Sequence, residues 1–275
     1  IFAGHSKVHG GLDWSNPSLV FPLLVRALDL EAYRRCIIEG LIQSVGCINS
    51  SMSKTALDSL EVYMNALVDT KNNRNGSDKQ ENVKQLVMIS KDLLYCIKKR
   101  YLNQLFMVPF LKAIGILLAD KIYFEPLQHD EKYGAQFAKQ LNAQLKKECY
   151  KSTDILKLLT SIKVFIGLAL FPATRESALQ RLMIFLGYQY PALRKQTCLE
   201  LSTALAVHGE RIIKDETKQS LAYDYLSGNV WGGTDLDKIR EQRNKLFEMF
   251  EIQPPNLKGL SKRKKKAAAP NNDDK

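Results

Sequence analysis

Tyr190-Pro191-Ala192-Leu193-Arg194-Lys195-Gln196-Thr197-Cys198-Leu199-Glu200-Leu201, running on to His208, has the spacing of a long helix with one apolar face. Leu193, Thr197, Leu201, Leu205 and His208 recur at helical spacing and build one mostly apolar stripe, with Arg194, Lys195, Gln196 and Glu200 largely outside it. Pro191 opens the helix, where a missing N–H costs nothing. The spacing returns near the other end of the chain: Tyr33, Ile37, Leu41, Val45 and Ile48 make the stripe, and Arg34-Arg35 stand where Arg194-Lys195 stand. The offset from Leu193 back to Tyr33 is 160 positions, or four repeats of about 40, within the length range of HEAT and armadillo units. A one-sided helix at repeat spacing reads as the inner helix of a HEAT-type hairpin, which makes the chain a scaffold in kind.

Helical periodicity dominates from Pro17 onward. It predicts helices near 18–28, 30–47, 52–69, 82–99, 101–119, 130–148, 153–170, 174–187, 191–208, 215–227 and 235–250, and no alternating run between turn signals predicts a strand. The fold class is all-α, a HEAT/armadillo-like solenoid of stacked helical hairpins. Segments 101–119 and 153–170 are apolar nearly all round, as helices sandwiched between neighbours should be. Pro109 should kink the first of these. The polar run Thr70–Gln80 predicts a mobile loop, and Lys121–Asp130 a second connection. Three parts follow: 1–16 as a linker at the edge of something longer, 17–250 as the helical repeat domain, and 251–275 as a disordered basic tail.

The formal net charge is +11, with five cations in Lys262–Lys266 alone. Such a surface favours acidic partners. No base-stacking motif or zinc-finger spacing accompanies the charge, which ranks nucleic acid low. The most apolar run, Val164–Phe171, is far short of the roughly 20 residues of a membrane span. Five scattered cysteines without a Cys-x-x-Cys pair fit reduced thiols in a cytosolic protein.

The pattern nominates no catalytic chemistry. No glycine-rich loop leads to Gly-Lys-Ser/Thr, and Gly228, Gly232 and Gly233 around Trp231 read as a turn between helices. His5 and His9 lack the glutamate of His-Glu-x-x-His, and His208 reads as a packing or helix-end residue. No nucleophile is paired with a base, and no cofactor or metal is expected. The candidate partner-binding residues are Arg34, Arg35, Arg194, Lys195, Trp231, Arg240 and Arg243. The arginines and lysine stand either for a basic partner-binding edge or for solvated helix surface with local contacts, such as Arg240 to Glu241 or Glu200 near Gln196, the latter favoured for any one residue. Trp231 is either an anchor packed under the last helix or an interface hot spot, packing being preferred.

Leu226-Ser227-Gly228-Asn229-Val230-Trp231-Gly232-Gly233, then Ile239-Arg240-Glu241-Gln242-Arg243-Asn244-Lys245-Leu246 and Gln253-Pro254-Pro255-Asn256-Leu257, resembles the ending of the tubulin folding cofactor D family. The helix from Tyr190-Pro191 with Arg194-Lys195-Gln196-Thr197 is similar to that family's proline-then-Arg-Lys-x-Thr helix, and Gly40–Tyr63 resembles its earlier paired helices. The likeness spans roughly residues 30–257 and is strongest at the end. It implies the C-terminal domain of a large non-enzymatic HEAT-repeat protein that handles β-tubulin after the cytosolic chaperonin. Such a protein joins β-tubulin with α-tubulin alongside cofactors C and E, associates with an Arf-like small GTPase, and works in the cytoplasm on the microtubule cytoskeleton. The resemblance also implies a part in stimulating GTP hydrolysis by tubulin; Arg240 or Arg243 would then serve as an arginine finger, the alternative being that they hold the final helix against Glu248. Residues 70–80 and Lys262–Lys266 fall outside the family pattern. The alternative is a generic HEAT adaptor in transport or coat assembly, with the lysine tail as its targeting element.

Overall fold

The computed structural model describes residues 13, 15–68, 76–121 and 123–255, with the backbone alone for 76–81. Twelve α-helices and no strand occur among them: α1 Pro17–Arg26, α2 Glu31–Gly46, α3 Ser50–Val68, α4 Gly76–Lys99, α5 Gln104–Gly115, α6 Glu125–Gln128, α7 Tyr133–Cys149, α8 Ile155–Ala169, α9 Arg175–Leu186, α10 Pro191–Ile212, α11 Glu216–Gly228 and α12 Leu236–Met249. The expected all-α, HEAT-like solenoid is what the chain forms. Capping chemistry sets many of the starts. Asn16, Asn103, Asp154, Asp215 and Asp235 each accept a backbone N–H from the first turn of α1, α5, α8, α11 and α12. Pro17 and Pro191 open α1 and α10.

One row of helices runs through the molecule as α2, α5, α8 and α10, each packed on the next. Helices α3, α4 and α7 flank this row on one stretch, and α9, α11 and α12 on the other, while α1 closes on α3. As the all-round apolar composition predicts, α5 and α8 are the most enclosed, and Phe110, Leu111, Ile114, Phe165 and Leu168 are inaccessible or nearly so. Two glycines permit the close approach. A Cβ on Gly46 of α2 would stand 2.0 Å from the Pro109 carbonyl oxygen of α5, and one on Gly167 of α8 would stand 2.4 Å from Leu118 Cβ. Past α5 the chain widens into a π-helical turn, Ile116–Asp120, closed by the Lys121 N–H on the Ile116 carbonyl, before α6.

Four expectations change. Members of the row begin at residues 31, 104, 155 and 191, so the spacing is not a constant 40: the long α4 and the extra α6 lengthen the middle. Helix α4 already begins at Gly76, within the stretch read as a loop, because Lys79, Gln80 and Glu81 are good helix formers; residues 69–75 lie outside the described residues. The connection Lys121–Asp130 contains α6. At the far end the fold does not stop at 250. Ile252 is buried, its N–H bonds the Phe247 carbonyl, and the Gln253 carbonyl accepts from Gln180 Nε2 at 2.8 Å. His5, His9, the remainder of the tail and its Lys262–Lys266 cluster lie outside the described residues.

Candidate partner-binding surfaces

The phase of α2 differs from the periodic reading. Its buried face is Arg34, Ile38, Leu41, Ile42 and Val45, whereas Tyr33 is 63% exposed and Ile48 wholly so. Arg34 is 5% exposed because Asp92 of α4 lies opposite: Arg34 Nε donates to Asp92 Oδ2 at 2.8 Å and Arg35 Nε to Oδ1 at 3.1 Å. One buried carboxylate thus draws one arginine inward and holds the next at the rim. Arg35 stays half exposed, its guanidinium 4.1 Å from the Tyr95 ring centroid.

Arg194, read as lying outside the apolar stripe, is 1% exposed. Its guanidinium donates to the carbonyls of Tyr188 and Trp231 at 2.7 Å each, and to that of Gly233. Burial depresses its pKa, and no carboxylate lies in ion-pair range among the described residues. Trp231 is 3% exposed, and its Nε1–H donates to the Leu226 carbonyl at 2.9 Å. The pair forms a buried clasp between the start of α10 and the α11–α12 turn. Arg34, Arg194 and Trp231 are therefore buried: Arg34 Nε is paired with Asp92, and the Arg194 guanidinium and Trp231 Nε1–H donate to backbone carbonyls inside the fold.

Lys195, Arg35, Arg240 and Arg243 remain accessible in whole or part. Lys195 lies across the backbone of Gly232 with no carboxylate partner among the described residues. Arg240 Nη1 reaches Asp237 Oδ1 at 3.3 Å, where the local reading expected Glu241 or Glu248. Arg243 is half-buried against Gly187 and Phe247, and burial and the nearby Arg240 lower its pKa. The expected Gln196–Glu200 contact is present, at 2.7 Å. The seven residues fall into two groups, one around Asp92 and one around the Gly187–Tyr190 turn and its neighbours, and so do not make one continuous edge.

Three surfaces stand out beyond these. An open groove of about 570 Å³ runs between α10 and α11, lined by Lys195, Leu199, Thr203, Tyr223 and Val230, with Trp231 in its wall. A second recess joins the π-helical turn to α8 and α10. There Lys163 Nζ bridges both oxygens of Asp120 at 3.0 and 2.9 Å, and His208 marks a break in α10 at φ −128°, ψ 26°. Burial lowers the His208 pKa, against a raising hydrogen bond to the Ala119 carbonyl. A third groove lies between α4 and α7, edged by Lys91, Lys98, Tyr95 and Tyr133. The signal for it was present in the sequence as Lys91, Tyr95 and Lys98 at i, i+4 and i+7 on one helix face; its other half, on α7, is not adjacent in sequence.

No cluster of three or more His, Cys, Asp or Glu side chains is placed to hold a metal among the described residues. None of the described helices is long and apolar enough to cross a membrane. The cysteines are all free, and burial raises the thiols of Cys96 and Cys149 to about 12 and about 11.

Among solved structures none matches this chain. A family profile described as "Tubulin folding cofactor D C terminal" matches residues 2–157. The match takes in Arg34, Arg35 and the α4–α7 groove, and ends before the Trp231 turn on which the sequence resemblance leaned most. With that match covering more than half of its length, the chain belongs to the tubulin folding cofactor D C-terminal family.

Proposed function

We propose that this chain is a non-enzymatic scaffold that binds β-tubulin during post-chaperonin assembly and disassembly of the αβ-tubulin heterodimer. The observation that carries the reading is the family match over residues 2–157, joined to a helical solenoid with open grooves between α10 and α11 and between α4 and α7. In this reading the domain works in the cytoplasm with the microtubule cytoskeleton, beside tubulin cofactors C and E and an Arf-like small GTPase. Its contribution is differential affinity: a scaffold that holds one state of tubulin more tightly than another shifts the equilibrium between them without chemistry of its own. Its net charge of +11 supports long-range attraction to acidic tubulin.

Exposed Arg35, Lys195 and Arg240, with half-buried Arg243, are the basic contacts available for this role. The arginine-finger idea narrows to Arg240, since Arg243 packs against Phe247. Pull-down of purified αβ-tubulin by the 275-residue chain tests the reading. Capture supports it; absence of capture by a chain shown to be folded would confine the domain to an internal structural role.

A further inference from the structure

The groove between α4 and α7, about 250 Å³, has an apolar floor and a cationic rim. Val87, Leu94 and Phe137 are its buried base. Lys91 and Lys98 stand on α4 above that floor, and Lys132 adds a cation at the start of α7, its Nζ 5.0 Å from the Tyr133 ring centroid. Lys91 Nζ lies 5.7 Å from the same ring, while Lys99 Nζ and the Arg35 guanidinium flank Tyr95 at 5.6 and 4.1 Å. Five cations thus gather around two exposed tyrosines.

Arg35 shares Asp92 with Arg34, but the nearby carboxylates do not pair with the four lysines among the described residues. Asp92 is buried and bridged by Arg34 and Arg35. Asp130 Oδ1 accepts the N–H groups of Lys132, Tyr133 and Gly134 at the start of α7. Exposed Glu131 is the remaining acid beside Lys132. Lys91, Lys98, Lys99 and Lys132 have no carboxylate within ion-pair distance among the described residues, and Lys98 Nζ donates to the neutral Gln140 Oε1 at 2.7 Å. Like charges held this close raise the energy of the empty groove, and an anionic occupant relieves it.

We propose that the α4–α7 groove is a docking site for an extended acidic peptide segment, with carboxylates on Lys91, Lys98 and Lys132 and apolar or backbone surface against Tyr95 and Tyr133. Charge complementarity selects the acid. The apolar floor, and the amides of Gln136 and Gln140 along the wall, favour a peptide, whose main chain offers donors and acceptors between its charges. The site lies on the flanking helices, away from Lys195 and Arg240, and does not depend on which protein supplies the segment.

The probe is a fluorescently labelled twelve-residue glutamate peptide, titrated by anisotropy with the full chain at low and at physiological salt. Lys91→Glu/Lys98→Glu/Lys132→Glu should weaken binding by at least about tenfold, equivalent to about 1.4 kcal/mol. A matched reversal elsewhere, Lys195→Glu/Lys238→Glu/Arg240→Glu, should change it less than about twofold. Tyr95→Ala/Tyr133→Ala should weaken it at unchanged net charge. All altered side chains are exposed, and circular dichroism checks that each variant is folded. Equal losses in both charge-reversed proteins would reduce the effect to diffuse attraction and overturn the site, as would no binding by the unaltered chain. Tighter binding in this groove of phosphatidylserine vesicles or of a twelve-nucleotide single strand would overturn the choice of a peptide.

Discussion

Replacing Arg194 by methionine tests whether the buried clasp holds the C-terminal helices together. The substitution keeps an unbranched side chain of similar length but deletes three donors, leaving the carbonyls of Tyr188, Trp231 and Gly233 without their partner. An orphaned acceptor costs about 1–3 kcal/mol, and part of the total is offset because a charge no longer has to be desolvated, for a net loss of about 3 kcal/mol. In a domain of this size that corresponds to a fall in Tm of roughly 6–12 °C. Arg194→Lys should recover little, about 1 kcal/mol, because an ammonium cannot reproduce the planar fork that reaches three acceptors. Trp231 supplies the local readout. The chain has two tryptophans, and Trp14→Phe leaves Trp231 as the sole reporter. In the Arg194→Met background its emission should shift to the red and its quenching by iodide should rise, while helix content falls only modestly, because a solenoid loosens locally. A Tm change under about 2 °C with Trp231 still shielded would refute the clasp.

Other outcomes follow from the same geometry. Gly46→Ala drives a methyl group into the Pro109 backbone and should cost at least about 3 kcal/mol, whereas Gly40→Ala, with nothing within 4 Å, should be neutral or add about 0.5–1 kcal/mol; chemical denaturation compares the two. Asp92→Asn removes the charge that compensates buried Arg34 and should destabilise the α2–α4 contact by about 3 kcal/mol, seen as faster amide exchange in α4. Iodoacetamide at pH 8 should label exposed Cys36 and spare Cys96 and Cys149, whose thiols are raised to about 12 and about 11 by burial; equal labelling of all three in native protein would contradict their enclosure. His208 titrates below its ordinary value of 6.5 because burial disfavours the cation, so the unfolded chain takes up its proton first. Stability should therefore fall as pH drops below about 6.5, and His208→Gln should flatten that slope. Arg211 opposes the charge and Glu125 favours it, while Lys163, paired with Asp120, and Glu200 line the same recess.

What the sequence made legible is what local rules govern. Helix positions followed from periodicity and caps such as Asn103, Asp154 and Asp235, and the enclosed α5 and α8 announced themselves by having no polar face. The identities of the buried charges did not follow, because their partners are remote: Arg34 meets Asp92 58 positions away, and Arg194 meets Trp231 37 positions away. A four-residue spacing also drifts against the 3.6-residue turn, so Tyr33, at the start of the apparent α2 stripe, comes out on its solvent side, while Ile48 lies past the helix, which ends at Gly46. Of the basic candidates, Lys195 and Arg240 remained at the surface and Arg35 and Arg243 partly so. The Lys–Tyr groove needed α7 beside α4 before its second wall existed.

Whether the folded chain captures tubulin by charge is read from its binding isotherm for αβ-tubulin, run beside Arg35→Glu/Lys195→Glu and Arg240→Glu/Arg243→Glu. Measurable affinity should decline with salt and drop by about tenfold or more in at least one charge-reversed pair. Affinity equal to that of the unaltered chain in both pairs would contradict the electrostatic account of tubulin capture, and no affinity in any of the folded proteins would contradict the scaffold reading itself.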